Sequence, residues 1–451
     1  MTQAVPVPLW LFVLIIAFAA VSFASNFLFP SVRWFFRARM ERALQRLNER
    51  LDRPIDLFKL AQRQDRIARL IYDAGVMQAV NDHAAETGVP VPVAFEEARR
   101  YAREIVPGFS TILYFGVAIR LARWLTRALY RVRFGKPDAM AGIDPDATVI
   151  FVMNHRSNMD YVLVTWLVAG RASISYAGGE WARLGPLSVM IRAIGAYFIR
   201  RNSRNALYRR VLARYVQMTT AEGITQAIFP EGRLSLDGRV GAARLGLVSY
   251  IVAGFEPGGR DVVFVPVGLA YDHVLEDRIL IEPAASGTRR FRAQPLAVLG
   301  GIVKMALRKL TGRFRGFGTA GAAFGAPVSL RQFLAGRDGE VTEALGRHLM
   351  EAIARVVPVV PVPLVALVLA RGARSEAEVL AGAEALASEL QAVGAVLKLA
   401  PQGMADTVAE GLDQLKRRGL IGPDCATMPG AQPLLDFYAA GLYQRLSDPP
   451  L

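Results

Sequence analysis

The middle of this sequence predicts an α/β fold, a mixed and largely parallel sheet flanked by helices. Two observations predict it. Short apolar, β-rich runs alternate with helical stretches from about residue 145, with candidate strands at 148–153, 174–177, 196–199, 226–229, 262–267 and 278–281. Helical patterning fills the gaps at 160–169, 186–194, 205–221 and 243–254. The chain has 451 residues, 53% hydrophobic and 21% charged, enough for two or three domains and a sizeable core.

The elements read in order as follows. Leu9 to Phe29 carries no charge, and about 21 helical residues span roughly the 30 Å of a bilayer core. Trp10 suits one interface; Trp34, Phe35 and Phe36 suit the other. Arg33, Arg37, Arg39 and Arg42 follow, so the positive-inside rule puts the rest of the chain in the cytoplasm. A cleaved signal peptide is the rival reading, but no Lys or Arg precedes the run, and the run is too long. A helix lying in one leaflet is the other alternative.

Residues 32–135 form a helical region, with apolar positions Leu57, Leu60, Ile67, Leu70 and Ile71 at helical spacing. Pro90 and Pro92 break the pattern. A basic amphipathic stretch follows from Phe95 to Val132, suited to anionic lipid or to plain solvent. The α/β domain takes residues 136–330 and a helical region 331–451. In the latter, Ser375 and Glu378 form a capping box opening a helix to about Leu397. Val356 to Ala370, interrupted by three prolines, reads as a buried helix rather than a second span.

Charge narrows the function. Lys and Arg number 54 against 39 acids, a net +15, which favours anionic partners. One cysteine, Cys425, excludes a disulfide framework, and the four histidines share no metal-ligand spacing. No metal or cofactor is expected. With an anchor present, the acid-free basic stretch from Arg289 to Arg315 points to lipid headgroups or an acidic acyl carrier rather than nucleic acid.

Four segments carry chemistry. Asn154-His155-Arg156-Ser157-Asn158-Met159-Asp160 follows the first strand, where ligands bind in open α/β sheets. A five-residue spacing turns ~140° on a helix, so His155 belongs in the loop and Asp160 at the helix start. Asp160 then accepts from the His155 ring, fixing its tautomer and freeing the other nitrogen as a base. In isolation, a structural hydrogen bond explains the pair better. Gly195 to Arg201 delivers Arg200 and Arg201 to a strand end, in a segment free of acids, and guanidinium grips phosphate bidentately. Phe229-Pro230-Glu231-Gly232-Arg233, with Ser235 beyond it, is a polar loop after a strand and in isolation only a turn. Val265-Pro266-Val267 runs on to Tyr271-Asp272-His273, and Pro266 implies an edge strand or a bulge. Gly316 to Gly321 matches G-x-G-x-x-G by chance, with no strand–helix unit and acidic partner around it.

In order, these segments resemble the four signature blocks of the glycerolipid acyltransferase superfamily: H-x-x-x-x-D at His155 and Asp160, G-x-x-F-I-R at Gly195 to Arg200, F-P-E-G at Phe229 to Gly232, and V-P at Val265-Pro266. N-H-R-S-x-M-D-Y, Tyr271-Asp272-His273-Val274, residues 101–110 and the tail segment 361–370 resemble the bacterial glycerol-3-phosphate and dihydroxyacetone-phosphate acyltransferase branch. The resemblance covers most of the chain after residue 95. It implies a bacterial inner-membrane enzyme with its catalytic domain cytoplasmic, moving an acyl group from acyl-CoA or acyl carrier protein to the sn-1 hydroxyl of glycerol-3-phosphate. His155 is then the base and Asp160 its orienter. Arg156, Arg200, Arg201, Glu231, Gly232, Arg233 and Ser235 bind substrate. Backbone amides or Arg156 would meet the oxyanion. One departure is that Leu234 stands where the family's third block usually carries Arg. That keeps lysophosphatidate or another lysolipid open as the acceptor. The reading from another class is an inactive membrane-surface scaffold, which the intact His155, Asp160 and Glu231 oppose.

Overall fold

The computed structural model describes residues 63–108, 112–135, 140, 142–168, 175–178, 195–200, 203–281, 314–337 and 339–447. The anchor segment, the helix expected at 186–194, Arg201 and nearly all of the 289–315 basic stretch lie outside the described residues. Among the described residues, no helix is long and apolar enough to cross a membrane.

The N-terminal helices are α1 (Arg63–Ile71), α2 (Ala74–Thr87) and α3 (Val91–Ile105). Ile67, Leu70 and Ile71 turn inward, as their spacing requires. The Asp73 carboxylate caps α2, accepting from the Gly75 and Val76 amides at 3.0 and 3.2 Å. Pro90 and Pro92 do interrupt the chain, but as the opening of α3, where a missing N–H costs nothing. The basic amphipathic stretch over 95–132 is divided among several elements. Pro107-Gly108 follows α3, a π-helical segment runs Ile112–Ala118, and α4 (Ile119–Leu129) precedes β1 (Arg131–Phe134).

The sheet continues with β2 (Thr148–Met153), α5 (Met159–Val168), β3 (Ser175–Gly178), β4 (Tyr197–Phe198), α6 (Ala206–Ala221), β5 (Gln226–Ile228), α7 (Gly246–Ala253), β6 (Val262–Tyr271), α8 (Asp277–Ile281), β7 (Thr319–Phe324) and β8 (Val328–Ser329). Its order is β1-β7-β6-β2-β5-β3-β4, with β8 also on β6. All described pairings are parallel except β6 with β7 and β6 with β8, so the expected mixed, largely parallel sheet is present. β2 and β6 are buried along their whole length, as strands covered on both faces must be.

Two local expectations change. Of the two readings of Pro266, the edge strand fails and an interruption of the ladder remains: β6 is central, and Pro266 lies beside Val152 of β2. On its other flank the pairing passes from β8 to β7, and Pro266 falls at that break, only its carbonyl engaged, by the Gly325 amide at 2.8 Å. The strand expected at 278–281 is the short helix α8, closed by a bond from the Leu280 amide to the Glu276 carbonyl. Three apolar residues after Arg278 are too few for periodicity to separate strand from helix. The glycine run is a packing device. Gly316 and Gly318 both hold φ near +80°, and a Cβ on Gly318 would come 2.5 Å from Asp272.

The C-terminal helices are α9 (Leu330–Leu334), α10 (Val341–Val356), α11 (Pro361–Ala370), α12 (Glu376–Ala392), α13 (Met404–Arg417) and α14 (Gln432–Ser447). α11 is the buried helix expected from Val356, but starts only at Pro361, where a proline is tolerated. The Ser375 hydroxyl caps α12, accepting from the Glu378 amide at 3.2 Å. α12 stops near Gly394, at φ 73°, short of Leu397.

Candidate active site

Because β2, β5 and β6 are mutually parallel neighbours, their carboxyl ends lie side by side. His155 leaves β2, Glu231 leaves β5 and Tyr271 ends β6. β4, parallel through β3, brings Arg200 to the same end of the sheet. Topology thus gathers the four sequence blocks along one edge.

His155 sits in the turn between β2 and α5, 1% exposed. Its Nδ1 is 2.9 Å from Asp160 Oδ2. That oxygen also accepts the Arg156 and Ser157 amides at 2.7 and 3.0 Å, while Oδ1 accepts the Tyr271 hydroxyl at 2.8 Å. A carboxylate offers acceptors only, so the ring proton belongs on Nδ1, and Nε2 carries the lone pair. The imidazole stacks on Phe229, centroids 4.2 Å apart, and meets Tyr161 edge-on at 5.5 Å. The loop is held from outside as well. Glu276 accepts the Ser157 hydroxyl at 2.8 Å and the Asn158 amide at 3.1 Å. Asn154 exchanges two hydrogen bonds with the Leu269 backbone at 2.8 and 2.9 Å, extending the β2–β6 ladder by a side chain.

Glu231 accepts the His155 amide at 3.1 Å and the Gly241 amide at 3.2 Å, and burial raises its carboxyl pKa. It ties the histidine loop to the loop after β5. Gly232, at φ 66°, lets that loop pass Arg244, whose Cδ a Cβ would meet at 2.8 Å. The Ser235 amide donates to the His155 carbonyl at 2.9 Å, and its hydroxyl to the Arg239 carbonyl at 2.7 Å. Arg233 is exposed on the same loop.

The arginines differ. Arg200 places Nε and Nη2 on the two oxygens of Glu104 at 3.0 and 2.6 Å, and its guanidinium stands 5.0 and 5.3 Å from the Tyr101 and Tyr208 rings. Hydrogen bonding to Glu104 raises its pKa. Arg156 is 9% exposed and its guanidinium makes no hydrogen bond or ion pair among the described residues; burial lowers its pKa. It lines a cavity of about 570 Å³ that His155 does not line. The Arg156, Ser157 and Asn158 amides all serve Asp160 or Glu276, so none of them is free for an oxyanion.

Sequence reasoning missed Tyr271, Glu276 and Glu104. Tyr271 and Glu104 stood inside segments read only for resemblance. Glu276 offered no signal, because its partners lie more than a hundred residues away.

Residues 136–270 match the family model described as Acyltransferase, and residues 299–437 that of the glycerol-3-phosphate acyltransferase C-terminal region. His155, Asp160, Arg200, Glu231 and their neighbours all fall in the first. Curated relatives include the glycerol-3-phosphate acyltransferase of Shewanella frigidimarina (strain NCIMB 400), 30% identical over 285 residues, 61% of this chain and 34% of that protein. That of Pseudomonas entomophila (strain L48) is 27% identical over 393 residues, 81% of this chain and 45% of its own. The chain thus spans between a third and a half of the length of these relatives. A solved structure, the 1-acyl-sn-glycerophosphate (LPA) acyltransferase PlsC from Thermotoga maritima, aligns with 64% of this chain and 97% of its own, at 19% identity and a TM-score of 0.32, too loose a superposition to speak for the fold.

Proposed function

Carrying an acyltransferase region followed by a glycerol-3-phosphate acyltransferase C-terminal region, the chain is one that, we propose, moves a fatty acyl group from an acyl thioester to the sn-1 hydroxyl of glycerol-3-phosphate, at the bacterial inner membrane. The donor is acyl-CoA or acyl carrier protein. The observation that carries this reading is the fixing of His155 by Asp160, itself held by three further donors, at the carboxyl edge of the sheet.

His155 Nε2 takes the proton of the acceptor hydroxyl as its oxygen attacks the thioester carbonyl. The tetrahedral intermediate collapses, the C–S bond breaks, and the imidazolium returns the proton to the leaving thiolate. Asp160 stabilises the imidazolium. No acyl-enzyme is required: Cys425 is buried in the C-terminal region. Arg201 and Arg233 are offered for the acceptor's phosphate, with Arg200 where Glu104 yields to it. Membrane association is supported where the π-helical segment runs into α4: exposed Val117 of the former and exposed Leu121 and Trp124 of the latter lie about one turn apart, among Arg120, Arg123 and Arg127.

The test is acyl transfer by the purified chain, with glycerol-3-phosphate and lysophosphatidate offered side by side and palmitoyl-CoA or palmitoyl carrier protein as donor. Acylation of glycerol-3-phosphate alone is expected. Acylation of lysophosphatidate alone moves the acceptor, and no product from either removes the catalytic reading.

A further inference from the structure

The cavity of about 570 Å³ lies between the histidine loop, α10 and α14. Two buried arginines border it. Arg156 enters from the loop, its guanidinium without a hydrogen-bond or ion-pair partner among the described residues. Arg445 comes from α14, 6% exposed, with Nη2 on the Ala354 carbonyl and Nη1 without a partner among the described residues. The two act on one stretch of wall. A Cβ on Gly441 would stand 2.9 Å from Arg156 Nη2, and Arg445 follows Gly441 by four residues, one turn along the same helix face.

A buried guanidinium short of hydrogen-bond partners is costly, and burial lowers the pKa of both; at Arg156 the nearby Glu231, Asp160 and Asp237 charges offset part of that, and at Arg445 no charge does so among the described residues. An anion between them removes that cost. Glu343 and Glu351 also line the cavity, but they are exposed, with Arg347 between them, and solvent screens them. The remaining walls are mostly apolar, among them Val240, Leu245, Met350, Val357 and Phe437. A five-atom inorganic anion leaves most of this space unfilled; an apolar chain matches it.

We propose that this cavity is a binding site for a single-chain lipid anion, its head between Arg156 and Arg445 and its chain against α10 and α14. The site is separate from His155, and a bound lipid would press on the residue next to the proposed base.

The test is calorimetric titration of the full chain with octyl phosphate, octanoate, octanol and inorganic phosphate. Saturable binding of octyl phosphate or octanoate is expected, at least tenfold tighter than octanol or inorganic phosphate. The preferred head separates a lipid phosphate from a free fatty acid. Arg445→Gln, which removes the charge, and Ala354→Phe, which fills the cavity with Arg445 intact, each weaken binding at least tenfold in protein folded by circular dichroism. His155→Ala leaves the affinity within twofold. Equal binding of octanol, equal binding of inorganic phosphate, unchanged affinity in both cavity variants, or a tenfold loss in His155→Ala would each overturn the proposal.

Discussion

His155 and His273 occupy matching places. Each follows a strand of the central parallel pair β2 and β6, each packs on a phenylalanine ring (Phe229 at 4.2 Å, Phe317 at 4.7 Å), and each has an aspartate a few residues on. Their chemistry diverges through competition for that aspartate. Asp160 keeps an oxygen for the His155 ring. Asp277, four residues past His273, is taken by Arg418 and the Tyr438 hydroxyl. Asp272 faces away, accepting the Thr319 and Val362 amides at 2.6 and 2.7 Å. The His273 ring therefore has no hydrogen-bond or ion-pair partner among the described residues, and burial pushes its pKa down to about 4. A histidine near an aspartate in sequence is oriented by it only where the other claims on the carboxylate leave an oxygen facing the ring, as at Asp160 and not at Asp277.

Asp160→Asn should break the comparison most severely. An amide cannot accept from the ring, two backbone N–H groups and Tyr271 together, and kcat should fall on the order of 10²- to 10⁴-fold in acyl-transfer assays. The next effect is on stability. A base with a depressed pKa contributes stability above about pH 6.5 that is lost as pH falls through about 4. Asp272, pushed by burial up to about 6, has the opposite sign: its contribution is present below pH 3.8 and lost as pH rises through about 6. His273→Gln should therefore gain up to ~3 kcal/mol at pH 4 relative to its own difference from wild type at pH 8, read by denaturant unfolding. An unchanged difference would show that the ring is not held neutral by burial.

Glu104→Gln leaves the histidine site intact but releases the bidentate hold on Arg200. It should change the KM for glycerol-3-phosphate by about tenfold with kcat nearly constant, the pattern of a residue that positions a binding group. Equal changes in kcat alone would remove Arg200 from acceptor binding. Smallest is Tyr271→Phe, which deletes one hydrogen bond to Asp160. A loss of about 0.5–1.5 kcal/mol of transition-state stabilisation is expected, a few-fold to tenfold in kcat/KM.

Much of the sheet was legible because buried parallel strands are continuous apolar runs, and β2, β5 and β6 begin where the sequence places them. β1 hid in an arginine-rich stretch, with half its residues exposed, and β7 in a run of small residues with no β-branched signal beyond Thr319. The His155–Asp160 contact was legible because both residues share one turn. The Tyr271, Glu276 and Glu104 contacts span 111, 119 and 96 residues, and no local pattern encodes such pairings. The pairing of Arg200 was hidden for the same reason: its segment lacks acids, but α3 supplies one from elsewhere.

The most direct test sets His155→Ala beside His273→Ala in the full chain, both checked for folding and assayed for acyl transfer to glycerol-3-phosphate. His155→Ala should lose on the order of 10³-fold or more in kcat, while His273→Ala stays within a few-fold of the parent. Comparable losses in both, or a His155→Ala enzyme within tenfold of the parent, would contradict the assignment of His155 as the base.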